Sequence, residues 1–100
     1  MATVSKTLAR TAAATSSTTL YTVPSATTTV VTDIVVANTA ASTATFTISL
    51  NDIVFANTVT VGANDSTIIQ VKQPLSATQT IKGLASATTV NFHIGGVEIS

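Results

Sequence analysis

The chain of 100 residues has no cysteine, so it can form neither a disulfide framework nor a thiolate metal site, and cysteine usage leaves its redox compartment unread. Charge is nearly as scarce. Asp, Glu, Lys and Arg make up 8% of the residues, against roughly 25% in ordinary soluble domains. The four basic residues, Lys6, Arg10, Lys72 and Lys82, are scattered and balanced by four acidic ones. Binding a polyanion requires clustered Lys and Arg that displace counterions, so no nucleic-acid partner is expected. A net charge near zero also suits a free monomer poorly, because self-repulsion is what keeps proteins apart; a chain that works inside an assembly escapes that constraint.

Aromatic residues are only 4% of the chain while hydrophobic residues reach 45%. Any core is therefore built from Val, Ile, Leu and Ala, with three Phe as its largest pieces, which suits thin, close-packed layers. No apolar run approaches the roughly 20 residues that cross a bilayer as a helix. The stretch after Lys6 and Arg10 is Thr-Ala-Ala-Ala-Thr-Ser-Ser-Thr-Thr, too polar for the apolar centre of a signal peptide. The expectation is a chain made in the cytoplasm and soluble there, with no membrane partner.

What is present is alternation. In residues 44–50, Phe46, Ile48 and Leu50 fall on one side of an extended chain and Thr45, Thr47 and Ser49 on the other. Asn51 and Asp52 tolerate the positive φ of a tight hairpin turn, after which Ile53, Val54 and Phe55 begin a new apolar run. That second strand is expected to break near Ala56-Asn57 and resume over residues 58–61. Threonine, about a fifth of the chain, favours strands through its β-branching and keeps an outward face wet without charge.

Residues 2–9 alternate weakly and are expected to form an edge strand or an extended arm. Residues 11–17 are small and polar and read as a loop, too short to offset helix nucleation. Residues 18–23 form a strand that Pro24 ends. In residues 28–38, Val30, Ile34 and Val36 are expected to face one way and Val31, Asp33 and Val35 the other. Two partly apolar faces predict a central strand covered on both sides, or one whose second face meets a partner chain. Gly62-Ala63-Asn64-Asp65 is a turn. Residues 66–72 put Ile69 and Val71 opposite Ile68, Gln70 and Lys72, and residues 78–84 put Ile81 opposite Lys82 and Leu84, with Gly83 a bulge or a close approach. Residues 89–99 alternate again, kinked at Gly95-Gly96. Seven to nine short strands with turns between them predict an all-β, antiparallel β-sandwich, jelly roll or immunoglobulin-like Greek key, and no helix. The domain plan is an arm or edge strand with a polar loop over residues 1–17 and the sandwich over residues 18–100.

Chemistry-bearing residues are few. His93 is the single histidine, and with no second His or Cys to complete a metal shell it reads as a solvent-facing or interface residue, able to make assembly pH-sensitive if it lies at a subunit contact. Asp33, Asp52, Asp65 and Glu98 form no pair at strand spacing, and Asp52 and Asp65 read as turn residues. No serine sits in a Gly-x-Ser-x-Gly elbow. Asn64-Asp65-Ser66 matches a glycosylation acceptor but reads as a turn, and the threonines of residues 43–47 lack the repeated register of an ice-binding array. Tyr21 is the one aromatic suited to stacking a sugar, where such a platform normally needs two or more rings. No catalytic residue, cofactor or metal is expected. The surfaces expected to mediate assembly are the strand edges and the apolar second faces around Val31, Val35, Ile68 and Leu84.

Leu20-Tyr21-Thr22-Val23-Pro24, then residues 30–38 (Val-Val-Thr-Asp-Ile-Val-Val-Ala-Asn), Ala44-Thr45-Phe46-Thr47-Ile48-Ser49-Leu50, Val90-Asn91-Phe92-His93-Ile94 and Gly96-Val97-Glu98-Ile99 resemble small Thr/Ala-rich bacteriophage virion proteins. The resemblance covers nearly the whole chain from Leu20 onward and consists of strand patterns. It implies a non-enzymatic structural protein of the virion, a β-sandwich that decorates or cements the capsid, often as a homotrimer, with the major capsid protein or other virion proteins as partners. The alternative it implies is a fibre or tail module binding a host receptor or glycan, with Tyr21 as the contact.

Overall fold

A computed structural model describes residues 3–100, in which eight strands and no helix form two antiparallel sheets packed face to face. The strands are β1 (Thr3–Ala12), β2 (Thr18–Thr22), β3 (Thr28–Asn38), β4 (Ala44–Leu50), β5 (Ile53–Val61), β6 (Ser66–Leu75), β7 (Thr80–Ala85) and β8 (Val90–Ile99). One sheet has the order β1-β8-β3-β6 and the other β2-β7-β4-β5. The pairs β1–β8, β2–β7, β3–β6 and β4–β5 are all antiparallel. The chain is thus one long four-tiered hairpin, rolled so that β3 also pairs β8 and β4 also pairs β7. That connection is the jelly roll, and it settles the choice against the immunoglobulin-like key.

Period-two burial fills the space between the sheets. Phe46, Ile48, Ile81 and Ala85 from one sheet meet Ile34, Val36, Val90, Phe92 and Ile94 from the other, all buried. Phe46 and Phe92 pack edge to face with centroids 6.2 Å apart, a geometry the ring quadrupole favours. The tip of the β4–β5 hairpin forms as the sequence predicts, with Asn51 and Asp52 both at positive φ and Leu50 paired to Ile53. At the opposite end of the molecule, buried Asn38 donates to the carbonyls of Ser42 and Gly62 and accepts from Ala40 N and Thr89 Oγ1, tying three loops together.

Four expectations are corrected. β1 continues to Ala12 through pairs with Phe92 and Asn91, so part of the expected loop is strand; Ala2 lies outside the described residues. β5 runs unbroken where a break was predicted, absorbing extra residues at Phe55 and at Asn57-Thr58 as bulges. The kink expected in β8 falls on its neighbours instead: Leu8 in β1, opposite Ile94-Gly95, and Thr32 in β3, opposite Gly95-Gly96, are the extra residues. The reason is the absent Cβ at Gly96, where one would sit 2.5 Å from Val30 O and 2.8 Å from Leu8 Cδ1. Backbone and side chain close over that glycine from both sides.

The bulge at Thr32 produces the fourth correction. It shifts side-chain parity along β3, so Thr29 and Val31 point inward before it and Ile34, Val36 and Asn38 after it. Val31 therefore lies fully buried in the core and not on the outer face with Val35. Thr32 Oγ1 donates to Gly95 O and Asp33 Oδ1, which satisfies the displaced turn of chain.

Candidate functional site

Cross-strand register arranges the outer face of the β1-β8-β3-β6 sheet. Arg10 pairs His93, His93 pairs Val35, and Val35 pairs Ile68, giving one row across four strands. Ile68 ends the row 64% exposed. Of the four residues expected to form an assembly surface, the structure brings Val35 and Ile68 together, buries Val31 in the core, and places Leu84 on the outer face of the other sheet opposite Thr47. His93 is half-buried within the row, beside a shallow open depression of about 300 Å³ shared with Thr7, Arg10, Asp33 and Gly95.

Among the described residues no group of three His, Cys, Asp or Glu side chains could hold a metal ion. The four acids sit in different places and do different work. Asp33 accepts from Thr32 on β3, and Asp52, in the β4–β5 turn, pairs with Lys82 at 2.7 Å. Asp65 accepts from the Ser66 amide at 2.8 Å, in the turn before β6. Glu98, on β8, joins a cluster that sequence reasoning missed.

That cluster closes one long side of the sandwich. β2 belongs to one sheet and β1, β3 and β8 to the other, yet the Tyr21 hydroxyl donates to Glu98 Oε2. Its single proton being committed there, it accepts from Thr29 Oγ1 at 2.8 Å. Lys6 Nζ lies 3.4 Å from the other carboxylate oxygen. Thr29 is fully buried and its hydroxyl is satisfied only through this arrangement among the described residues. Burial first, and then the Glu98 carboxylate, push the Tyr21 phenol above its ordinary value. Tyr21 is thus turned inward as a latch between sheets, with its polar end already engaged. The remaining rings are elsewhere: Phe46 and Phe92 in the core and Phe55 on β5.

The opposite long side, between β5 and β6, is open. Ile53, Val54 and Phe55 are 70, 50 and 40% exposed, and a groove of about 500 Å³ beside them is walled by Leu50, Ile53, Phe55, Val71, Pro74 and Leu75. Three consecutive exposed apolar residues are possible because Phe55 is an extra residue of the ladder, between the Ser49–Val54 and Ile48–Ala56 pairs, and escapes alternation. The sequence carried a sign of this: an Ile-Val-Phe run after a two-residue turn cannot all face a core at period two.

No family model matches the chain, and no curated protein and no solved structure matches it.

Proposed function

We propose that this chain is a non-enzymatic structural protein of a bacteriophage particle, which decorates or cements the capsid by binding the major capsid protein and self-associating as a trimer. The observation that carries the assembly part of this reading is the outer row of the β1-β8-β3-β6 sheet, where Val35 and Ile68 sit side by side and Ile68 is 64% exposed. A central strand with an apolar residue on its outer face gains from a protein neighbour, since burying such a residue contributes about 1.5–3 kcal/mol. His93 and Arg10 continue the row with polar groups able to meet a partner's carboxylates or carbonyls. The double Greek-key jelly roll is used by viral capsid and lectin domains alike, so the fold agrees with the reading without selecting it. The virion itself enters through the resemblance of the strand sequences.

Two measurements test it. Immunogold electron microscopy with antiserum to the purified protein should label the shells of particles released by the strain that carries the gene, at many sites per shell; label confined to free protein overturns the reading. Sedimentation velocity should give a trimer, reduced to smaller species by Ile68→Lys, which places a charge at the exposed apolar end of the proposed contact row.

A further inference from the structure

We infer that β1 is a detachable strand which copies of this chain exchange, the β1 of one copy seating on the β8 edge of another. The inference goes beyond the trimer reading and does not rest on it. β1 is lightly held. It lies at a sheet edge and pairs with β8 alone, all its residues except Leu8 and Ala9 are exposed, and none of the fully buried side chains comes from it. The bonds that close the long side beside it pass it by: Tyr21 joins β2 to Glu98 on β8 and to Thr29 on β3, so the two sheets stay latched whether or not β1 is in place. Among the described residues the one ion pair that β1 makes is Lys6 with Glu98, at 3.4 Å with the Lys6 side chain 44% exposed, and such a pair contributes little. A segment with so few buried contacts opens well below the cost of unfolding the whole domain.

The seat that β1 vacates is shaped for the same strand. Without it, the β8 edge presents backbone amides and carbonyls that only another antiparallel strand can pair in full. The bare backbone at Gly96 leaves a hollow, and Leu8 fills it, with Cδ1 2.8 Å from where a Cβ would stand. Leu8 reaches that hollow as an inserted residue, between the Thr7–Gly95 and Ala9–Ile94 pairs. A foreign strand would need both the insertion and the leucine, whereas the β1 of a second copy brings both, together with a Lys6 for Glu98. Exchange thus remakes every contact that opening breaks, which is what makes strand swapping a low-cost route to association.

The connection to β2 allows the move. Ala13 is buried, its amide donates to Val90 O, and Ala14 O accepts from the Ala85 amide, so these two residues travel with β1 and remake their bonds on the receiving copy. The hinge is Thr15-Ser16-Ser17, exposed, without glycine or proline, and with no residue at positive φ, so it straightens without any residue changing hand. Straightened, three residues reach about 10 Å, and exchanging copies meet at the end of β8 where Val90 begins.

The experiment uses the full chain, whose lack of cysteine makes introduced thiols unambiguous. Ser5 on β1 and Val97 on β8 are directly paired, within disulfide reach. Ser5→Cys and Val97→Cys, purified separately, checked for fold by circular dichroism, mixed at about 1 mM, where mass action favours association, warmed to just below the melting transition and then oxidised, should give a disulfide-linked species carrying one chain of each variant. Its yield should exceed that of the like-with-like species by about tenfold, because only seated strands hold the two thiols at high effective concentration. In hydrogen exchange of the unmodified chain, β1 amides should exchange at least about tenfold faster than those of the central strand β3. Mixed and like-with-like species in equal yield overturn the inference, and so does equal protection of β1 and β3. A trimer in sedimentation without the mixed disulfide overturns it while leaving the trimer reading standing.

Discussion

The two long sides of this sandwich solve the same problem in opposite ways. Where β1 and β2 approach, a tyrosine from one sheet reaches a carboxylate and a buried threonine of the other, and the gap is closed by directed hydrogen bonds. Where β5 and β6 approach, the gap stays open, walled by Leu50, Ile53, Phe55, Val71, Pro74 and Leu75 with the uncharged amides of Asn51, Gln73 and Gln79 at its margin. A closed side needs every polar group partnered, since a buried hydroxyl left alone costs about 1–3 kcal/mol. An open apolar side costs little in the isolated chain but leaves surface whose burial is favourable once a neighbour arrives. The difference separates a side held shut by directed polar bonds from a side left open.

The largest effect that would break this comparison is expected at Gly96. A Cβ there would stand 2.5 Å from the Val30 carbonyl oxygen, a backbone atom locked in the β3–β8 ladder. Gly96→Ala should therefore destabilise the fold by about 3 kcal/mol or more, or prevent folding, because an overpacked site walled by backbone cannot relax. At Gly62, past the end of β5, an added Cβ meets Asp65 at only 3.6 Å, and Gly62→Ala should change stability by less than about 0.5 kcal/mol. Urea denaturation of both variants checks the contrast.

Tyr21→Phe comes next. It keeps the ring packed against the core and removes the hydroxyl, leaving Thr29 Oγ1 buried without its partner and Glu98 Oε2 without the phenol donor, while Lys6 stays beside the other carboxylate oxygen. A loss of about 1–3 kcal/mol is expected. The same latch should also be visible in alkali. The phenol is held above its ordinary value when folded, so the folded state favours the protonated form. The latch's contribution is then complete below the unfolded value of about 10 and falls as pH rises through the folded one. Thermal melting from pH 8 upward should show wild-type stability dropping above about pH 10 more steeply than that of Tyr21→Phe; parallel curves would remove the latch from the account.

Alternation made most of the fold legible. Phe46, Ile48, Ile81, Phe92 and Ile94 were readable as inward because no bulge interrupts the stretch of strand that carries them. Parity failed where an extra residue entered the ladder. Val31 moved from surface to core because Thr32 is the inserted residue beside Gly95-Gly96, and the need for an insertion there arises from how closely β1 and β3 approach a glycine on a strand remote in sequence. The latch was invisible for the same physical reason, since Tyr21 and Glu98 are 77 positions apart and meet only after both sheets form. The open side was half legible: Ile53, Val54 and Phe55 read as the start of an apolar run, but the face each takes depends on the extra residue at Phe55, which the run itself does not reveal.

A smaller gain, in place of a loss, tests whether the open side carries a cost of its own. Thr58 sits at φ 50°, where its branched Cβ crowds the backbone, and its amide is held by Thr47 Oγ1 at 3.0 Å. Asn adopts that region more readily and keeps the amide bond. Thr58→Asn should therefore raise stability by about 0.5–1 kcal/mol, as relief of one strained residue implies. Urea denaturation checks the gain, and an unchanged or lower midpoint removes strain at Thr58 from the account. A flattening substitution should act differently: deleting Thr58 removes one of the extra residues that interrupt the β4–β5 ladder. That variant should change stability while keeping the Tyr21–Glu98 latch and its alkaline slope, since the two sides share no residue.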